Sequence, residues 1–283
     1  MRIALGQINT TVGDLPGNVD LMVRYAGRAV AGGAEIVVFP ELSLTGYPPR
    51  DLLEKPSFVE RAGIELKRLA EETSGLDTTI VTGAIAPSPA SSGKSVVNCA
   101  VVLRGGRILF TQHKMLLPTY DVFDEARYFL PAERQSVVEL AGQRVALTIC
   151  EDAWNDKQFW ERRLYRRDPV EELAAAGAKI LISINASPYH KGKRELRRDV
   201  FAATARKYGV PVVYVNQVGG NDQLVFDGSS FALDADARVI ASARSFAEDL
   251  VFVDTETGHG DLHEDLADET EAVYEALATG TRD

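Results

Sequence analysis

Three residues that can do chemistry stand at the ends of short apolar runs: Glu41 after IVVFP, Lys114 after ILFTQH and Cys150 after VALTI. Layered α/β proteins place reacting groups at strand ends, so the three can converge on one pocket. A thiol with an ordinary pKa of about 8.5 is only a few per cent thiolate at neutral pH and needs a base or a cation beside it. Glu41 can serve as that base. Its apolar strand raises the carboxyl's proton affinity while an adjacent Lys114 ammonium lowers it, and the sequence leaves the balance open. When sulfur attacks an amide carbonyl the oxygen gains charge, which Lys114 and a backbone N–H after Cys150 can stabilise, each donor contributing roughly 10² to 10³ in rate. Acyl transfer is therefore coherent chemistry for this set. A Cys-His pair is poorly supported: of four histidines, His259 and His263 lie in a polar tail, and His113 should point away from a pocket that Lys114 enters.

The chain that must position these groups has 283 residues, 45% hydrophobic and 25% charged, the balance of an ordinary globular protein. Thirty-one basic against 41 acidic residues give a net charge of −10, and the pI is near 5.0, so phosphate backbones are repelled and no nucleic-acid partner is expected. Cys99 and Cys150 are the only cysteines, too few for a disulfide framework; Cys99, within VVNCAVV, reads as core. The start MRIALGQIN has no signal-peptide pattern, and no apolar stretch reaches the roughly 18 residues of a membrane span. A cytoplasmic protein with no membrane partner is the expectation.

Short β-branched runs alternate with helix-period segments. Arg2 to Asn9 reads as a strand, Asn18 as a helix cap and Gly32-Gly33 as that helix's stop. Further strands are expected at EIVVFPE, TTIVTGAIA, SVVNCAVVLR, RILFTQHK, SVVEL, RVALTIC, KILISINAS, PVVYVNQVGG, VFDGSSFALD, RVIASARSF and LVFVDTE, with helices near Phe58–Glu72, DPVEELAAAG and Arg194–Tyr208. Gly105-Gly106 and Gly219-Gly220 read as turns, and 115–135 as a long ordered loop. Several strands follow one another without a helix between them, which favours mixed sheets covered by helices over a plain doubly wound fold. After Gly258 the chain turns acidic and weakly helical, with no further strand expected. His259, Asp261, His263 and Glu264 are spaced so as to touch a metal, but the acidic tail is better read as a linker, and no metal site is expected.

Beyond these local patterns, FPELSLTGYPPRDLL, HKMLLPTYDVFDEARYF and LTICEDAW resemble the three catalytic segments of the nitrilase superfamily. NASPYHKGKRELR and YVNQVGGNDQLVFDGSSF resemble more specifically the amide-hydrolysing domain of glutamine-dependent NAD synthetase, so the likeness covers residues 1–258. It implies an α-β-β-α four-layer sandwich in which Cys150 attacks the glutamine amide, Glu41 moves protons and Lys114 stabilises the tetrahedral intermediate. By position in the same motifs it implies Tyr120, Ser187 and Lys193 as the residues that hold glutamine, with Lys193 suited to a carboxylate. Residues 259–283 resemble a linker toward an ATP-dependent synthetase domain. No S-G-G-x-D-S loop of that domain is present, so ATP and Mg²⁺ are expected only there and no cofactor in this domain. The resemblance also implies self-association. One departure is 156–169, DKQFWERRLYRRDP, longer and more basic than the pattern. Two other functions compete: a free-standing nitrilase-type ω-amidase or carbamoylase, and a catalytically silent assembly module.

Overall fold

The computed structural model describes residues 1–263, 266 and 268–283. Among them are fifteen strands and five α-helices. The first sheet draws on β1 (Arg2–Gln7), β2 (Ile36–Val38), β3 (Thr79–Pro87), β4 (Val96–Arg104), β5 (Arg107–His113), β14 (Asp249–Asp254) and β15 (His259–Gly260), in the order β15-β14-β1-β2-β3-β4-β5. The second draws on β6 (Val138–Leu140), β7 (Gln143–Ile149), β8 (Ile180–Asn185), β9 (Val212–Asn216), β12 (Phe231–Leu233) and β13 (Val239–Ser242), in the order β13-β12-β9-β8-β7-β6. A hairpin of β10 (Val218–Asn221) and β11 (Leu224–Asp227) stands apart. Each sheet is parallel at its centre, across β1-β2-β3 and β7-β8-β9, where helical connections return the chain to the same end; it is antiparallel toward its edges.

Side-chain alternation makes the layers. In β8, Ile180, Ile182 and Ile184 enter the core between the sheets, where they meet Leu5, Val38 and Val102, while Leu181 points the other way. Leu181 packs under α3 (Pro169–Ala175) and α4 (Lys193–Tyr208) with Leu173, Phe201 and Ala205. On the opposite face, Ala4 and Val37 pack under α1 (Leu15–Ala31) and α2 (Pro56–Glu72) with Val19, Met22, Leu66 and Leu69. The result is the expected α-β-β-α sandwich.

Several local expectations are corrected. Asp14, not Asn18, caps α1: its Oδ1 accepts from the Gly17 N–H, because Pro16 in the first turn has no N–H and lets the helix begin earlier. Asn18 instead ties the Thr11 backbone to the Leu44 carbonyl. Gly219-Gly220 lies within β10, where a Cβ on Gly219 would come within 2.0 Å of the Asn9 side chain; close approach, not a turn, demands the glycine. Gly258, at φ +70°, folds the chain back so that His259 and Gly260 add a strand to the β14 edge where none was expected. The helical character expected of the tail is present as α5 (Glu269–Arg282), with Ala272 and Ala276 buried against Val225, and Asp283 accepting from the Gly220 N–H. By contrast, Gly105 and Gly106 both have positive φ and form the expected hairpin turn. No described helix is long and apolar enough to cross a membrane.

Candidate active site

Each of the three chemical residues is placed by a backbone device beside it. After β2 the chain leaves its strand and crosses β3 at Gly83, whose N–H donates to the Pro40 carbonyl and whose carbonyl accepts from Leu44. A Cβ on Gly83 would lie 2.0 Å from the Leu42 nitrogen and 2.5 Å from the Glu41 carbonyl carbon, so only glycine lets the Glu41 backbone lie so close. Lys114 follows β5 directly, and its N–H continues the pairing with β4 by donating to Asn98 O at 2.9 Å. Cys150 begins a single 3₁₀ turn, Cys150–Ala153, with φ +44°, a left-handed conformation that a non-glycine residue holds only when its surroundings impose it. Asp152 imposes it. Its Oδ2 accepts from the Ile149 N–H and from Gln135 Nε2, while Oδ1 accepts from the N–H groups of Met115 and Leu116 at 3.0 and 2.8 Å. One buried carboxylate thereby locks the turn bearing Cys150 to the backbone that follows Lys114. Burial pushes the Asp152 carboxyl up to about 6 despite these N–H donors.

Lys114 and Glu41 are both nearly inaccessible to solvent, at 1% and 0% side-chain exposure. Lys114 Nζ donates to Glu41 Oε1 at 2.7 Å and to both oxygens of Glu125 at 2.8 Å. Glu41 is further held by Asn98 Nδ2 on Oε1 and by the Ala186 N–H on Oε2, at 2.7 and 3.0 Å. Tyr47 OH donates to Glu125 Oε1 at 2.9 Å. One ammonium thus sits between two carboxylates in a buried site. Burial opposes the Lys114 charge, but Glu125 and Glu41 more than offset it and hold the ammonium well above its ordinary pKa. Burial pushes Glu125 up to about 7 against the pull of Lys114, with Glu41 adding to the rise. Burial also lifts the Cys150 thiol well above its ordinary value, Glu41 adding to this and Lys114 working against it, so sulfur rests as the neutral thiol.

The thiol opens onto a cavity of about 350 Å³ whose walls include Tyr120, Phe123, Glu151, Trp154, Ser187 and Lys193. The three substrate-holding candidates, Tyr120, Ser187 and Lys193, therefore share one cavity with Cys150. Tyr120 OH donates to Glu151 Oε2 at 2.8 Å. Lys193 Nζ lies 5.7 Å from the centre of the Trp154 ring, and burial followed by the nearby Arg197 charge lowers its pKa. The basic segment 156–169 contributes Trp160, Arg162 and Leu164 to the rim. A second cavity, of about 240 Å³, is lined in part by Glu125 and shares Phe123 with the first, but Cys150 is not on its wall.

A thiol, two carboxylates and an ammonium on this scaffold invite comparison with known proteins, and residues 2–258 match the carbon-nitrogen hydrolase family. The chain belongs to that family. It is 40% identical to the glutamine-dependent NAD(+) synthetase of Synechocystis sp., over 99% of this chain and 52% of the relative, and 38% identical to that of Thermotoga maritima, over 94% and 43%. The hydrolase chain thus spans about half the length of the curated relatives it matches. Among solved structures, the glutamine-dependent NAD+ synthetase of Acinetobacter baumannii superposes with a TM-score of 0.86 at 31% identity, covering 100% of this chain and 51% of that one. An amidase from Nesterenkonia sp. superposes with a TM-score of 0.77 at 25% identity, covering 90% of this chain and 89% of that one.

Sequence reasoning about this hydrolase missed Glu125, Asp152 and Glu151 as members of the site. Glu125 lies in the FDE portion of a recognised motif, but inside the aperiodic loop 115–135 nothing local says that it turns inward. Asp152 and Glu151 adjoin Cys150 within LTICEDAW, and their nearness to that thiol is the available signal. His190 also reaches the outer cavity wall, where it is exposed and its Nδ1 contacts the Lys191 carbonyl. His113 is half-buried beside β4 and takes no part. Among the described residues no group of three or more His, Cys, Asp and Glu is arranged to hold a metal ion. His263 pairs with Asp249, and Glu264 lies outside the described residues.

Proposed function

We propose that this chain is a glutamine amidohydrolase domain that releases ammonia from glutamine through a thioester on Cys150, for amidation of deamido-NAD by an ATP-dependent synthetase domain of the same parent protein. The observation that carries the proposal is a single cavity lined by both Cys150 and Lys193, a thiol and an ammonium suited to an amide whose other end is a carboxylate. Similarity to glutamine-dependent NAD(+) synthetases along nearly the whole chain supports the choice of glutamine.

In the proposed reaction the Cys150 proton passes to Glu41 as sulfur bonds to the amide carbon, and the carbonyl oxygen takes up the displaced electron pair. Proton transfer must accompany attack, because the thiol is neutral at rest. Lys114 stabilises the oxyanion; its pairing with Glu125 keeps it charged throughout. Collapse breaks the C–N bond, Glu41 returns the proton to nitrogen, and ammonia departs. Glu41 then takes a proton from water as it attacks the thioester, and the thiol leaves with that proton as glutamate is released. Tyr120, Ser187 and Lys193 orient glutamine. These side chains and water complete the reaction without a cofactor; ATP and Mg²⁺ would serve the synthetase domain. We infer a cytoplasmic, self-associating protein as the setting.

The test is glutamine hydrolysis by the wild-type chain and by Cys150→Ser, together with mass spectrometry of the acylated protein. Loss of activity and of the glutamyl adduct in Cys150→Ser supports the assignment; undiminished turnover refutes it. A second proposal, a free-standing amidase or carbamoylase, draws on the likeness to the Nesterenkonia amidase across nearly the full length of both chains. Efficient turnover of another small amide, with glutamine ignored, would favour it.

A further inference from the structure

Helix α4 carries two inward-facing cations one turn apart. Lys193 opens into the Cys150 cavity, whereas Arg197 is fully buried behind its wall. All three guanidinium nitrogens of Arg197 donate. Nη1 donates to Asp227 Oδ1 and Oδ2, both at 2.7 Å; Nη2 donates to the Ser187 and Pro188 carbonyls at 2.7 and 3.0 Å; Nε donates to Ser187 Oγ at 3.3 Å. Asp227 is itself fixed by Ser229 Oγ at 3.0 Å. Asn216 grips the same turn, accepting from the Ser187 N–H at 2.9 Å and donating to the Ser187 carbonyl at 3.1 Å. Ala186, at the start of the same segment, supplies the N–H on Glu41 Oε2.

A fully buried ion pair adds little net stability, since desolvation offsets its attraction and an apolar pair of similar volume often serves as well. What this pair does supply is geometry: two carbonyls, a hydroxyl and a carboxylate are tied to one rigid fork. We propose that Arg197, anchored by Asp227, is a positioning residue that sets the turn 186–188, and through it both the Ser187 wall of the cavity and the orientation of the Glu41 carboxylate. The proposal rests on Cys150 acyl chemistry, but not on which amide is hydrolysed.

Arg197→Lys keeps the charge for Asp227 but replaces the fork by a flexible point donor that cannot hold Asp227 and both carbonyls. The double variant Arg197→Met/Asp227→Leu removes both charges and keeps an apolar filling. Each is compared with wild type for melting temperature, kcat and KM for glutamine, and the rate and stoichiometry of Cys150 alkylation by iodoacetamide; Cys99 is wholly buried and does not interfere. Both variants should fold and alkylate one thiol, yet lose about tenfold or more in kcat, raise KM, and alkylate about tenfold more slowly, as expected for a displacement of a fraction of an ångström to an ångström. Should the double variant fail to fold, Arg197→Lys, which keeps the charge opposite Asp227, carries the test. Wild-type kcat, KM and alkylation rate per reactive site in any folded variant would overturn the proposal and leave the pair a scaffold. If wild type alkylates but ignores glutamine, the glutaminase assignment fails while the alkylation comparison still decides the role of Arg197.

Discussion

Lys114→Met removes the one cation between Glu41 and Glu125 while keeping the length of the side chain. Its Nζ donates to three carboxylate oxygens at 2.7–2.8 Å, so the variant leaves two buried acids facing each other without compensation. Breaking one side of a buried charge cluster costs about 3–5 kcal/mol. For a chain of this size, at about 2 °C per kcal/mol, the melting temperature should fall by about 6–10 °C near pH 8. The deficit should shrink as pH falls. Glu125 already stands near 7 with Lys114 present, and without it the pair must hold a proton to still higher pH. A carboxyl whose pKa is raised on folding is stabilising while protonated and loses that contribution as pH climbs through its folded value. Scanning calorimetry at about pH 5.5 and pH 8 should therefore show a smaller gap from wild type at the lower pH. Turnover should drop by about 10²–10³ from loss of the oxyanion donor alone. Lys114→Met/Glu125→Gln restores charge balance, and should regain stability while remaining inactive. Activity within tenfold of wild type, or a stability gap that ignores pH, would refute the reasoning.

Glu125→Gln by itself should become more stable relative to wild type as pH rises from about 5 to 8, because the wild-type carboxyl loses its favourable proton in that interval and the amide has none to lose; paired thermal melts measure it. Gly83→Ala must push the Glu41–Leu42 backbone outward to escape a 2.0 Å contact. It should cost about 1–3 kcal/mol in stability and about 10² in kcat, read by calorimetry and steady-state assay, and native kinetics would show that the crossing tolerates a methyl. Lys193→Met should raise KM for glutamine by about 10² while changing kcat/KM for an amide that lacks a carboxylate only a few-fold. Equal losses on both substrates would remove Lys193 from carboxylate recognition.

The sequence by itself determined the layers and which residues are candidates for the chemistry. Alternation such as Ile180, Ile182 and Ile184 against Leu181 is written within one strand, and the helix periods of α1 and α2 within one turn of their neighbours. Glu41, Lys114 and Cys150 each follow such a strand, so their places at the ends of β2, β5 and β7 were legible in motif order. Tertiary structure decided which other charges join them. Glu125 enters from an aperiodic loop, and Glu41 receives its second anchor from Ala186, 145 residues away. Asp152 reaches back across 36 residues to Leu116, and Arg197 across 30 to Asp227. The sequence gives no sign of β15 after Gly258 and runs β9 and β10 together as one strand ending in a glycine turn; both short segments have too few side chains to show a period, and exist because neighbouring backbone comes close or leaves an edge open. Hydrophobic patterning is a local code because each residue is sorted by its own solvation. Buried charges can be placed only by the partners that compensate them, and those partners are assembled when distant segments meet.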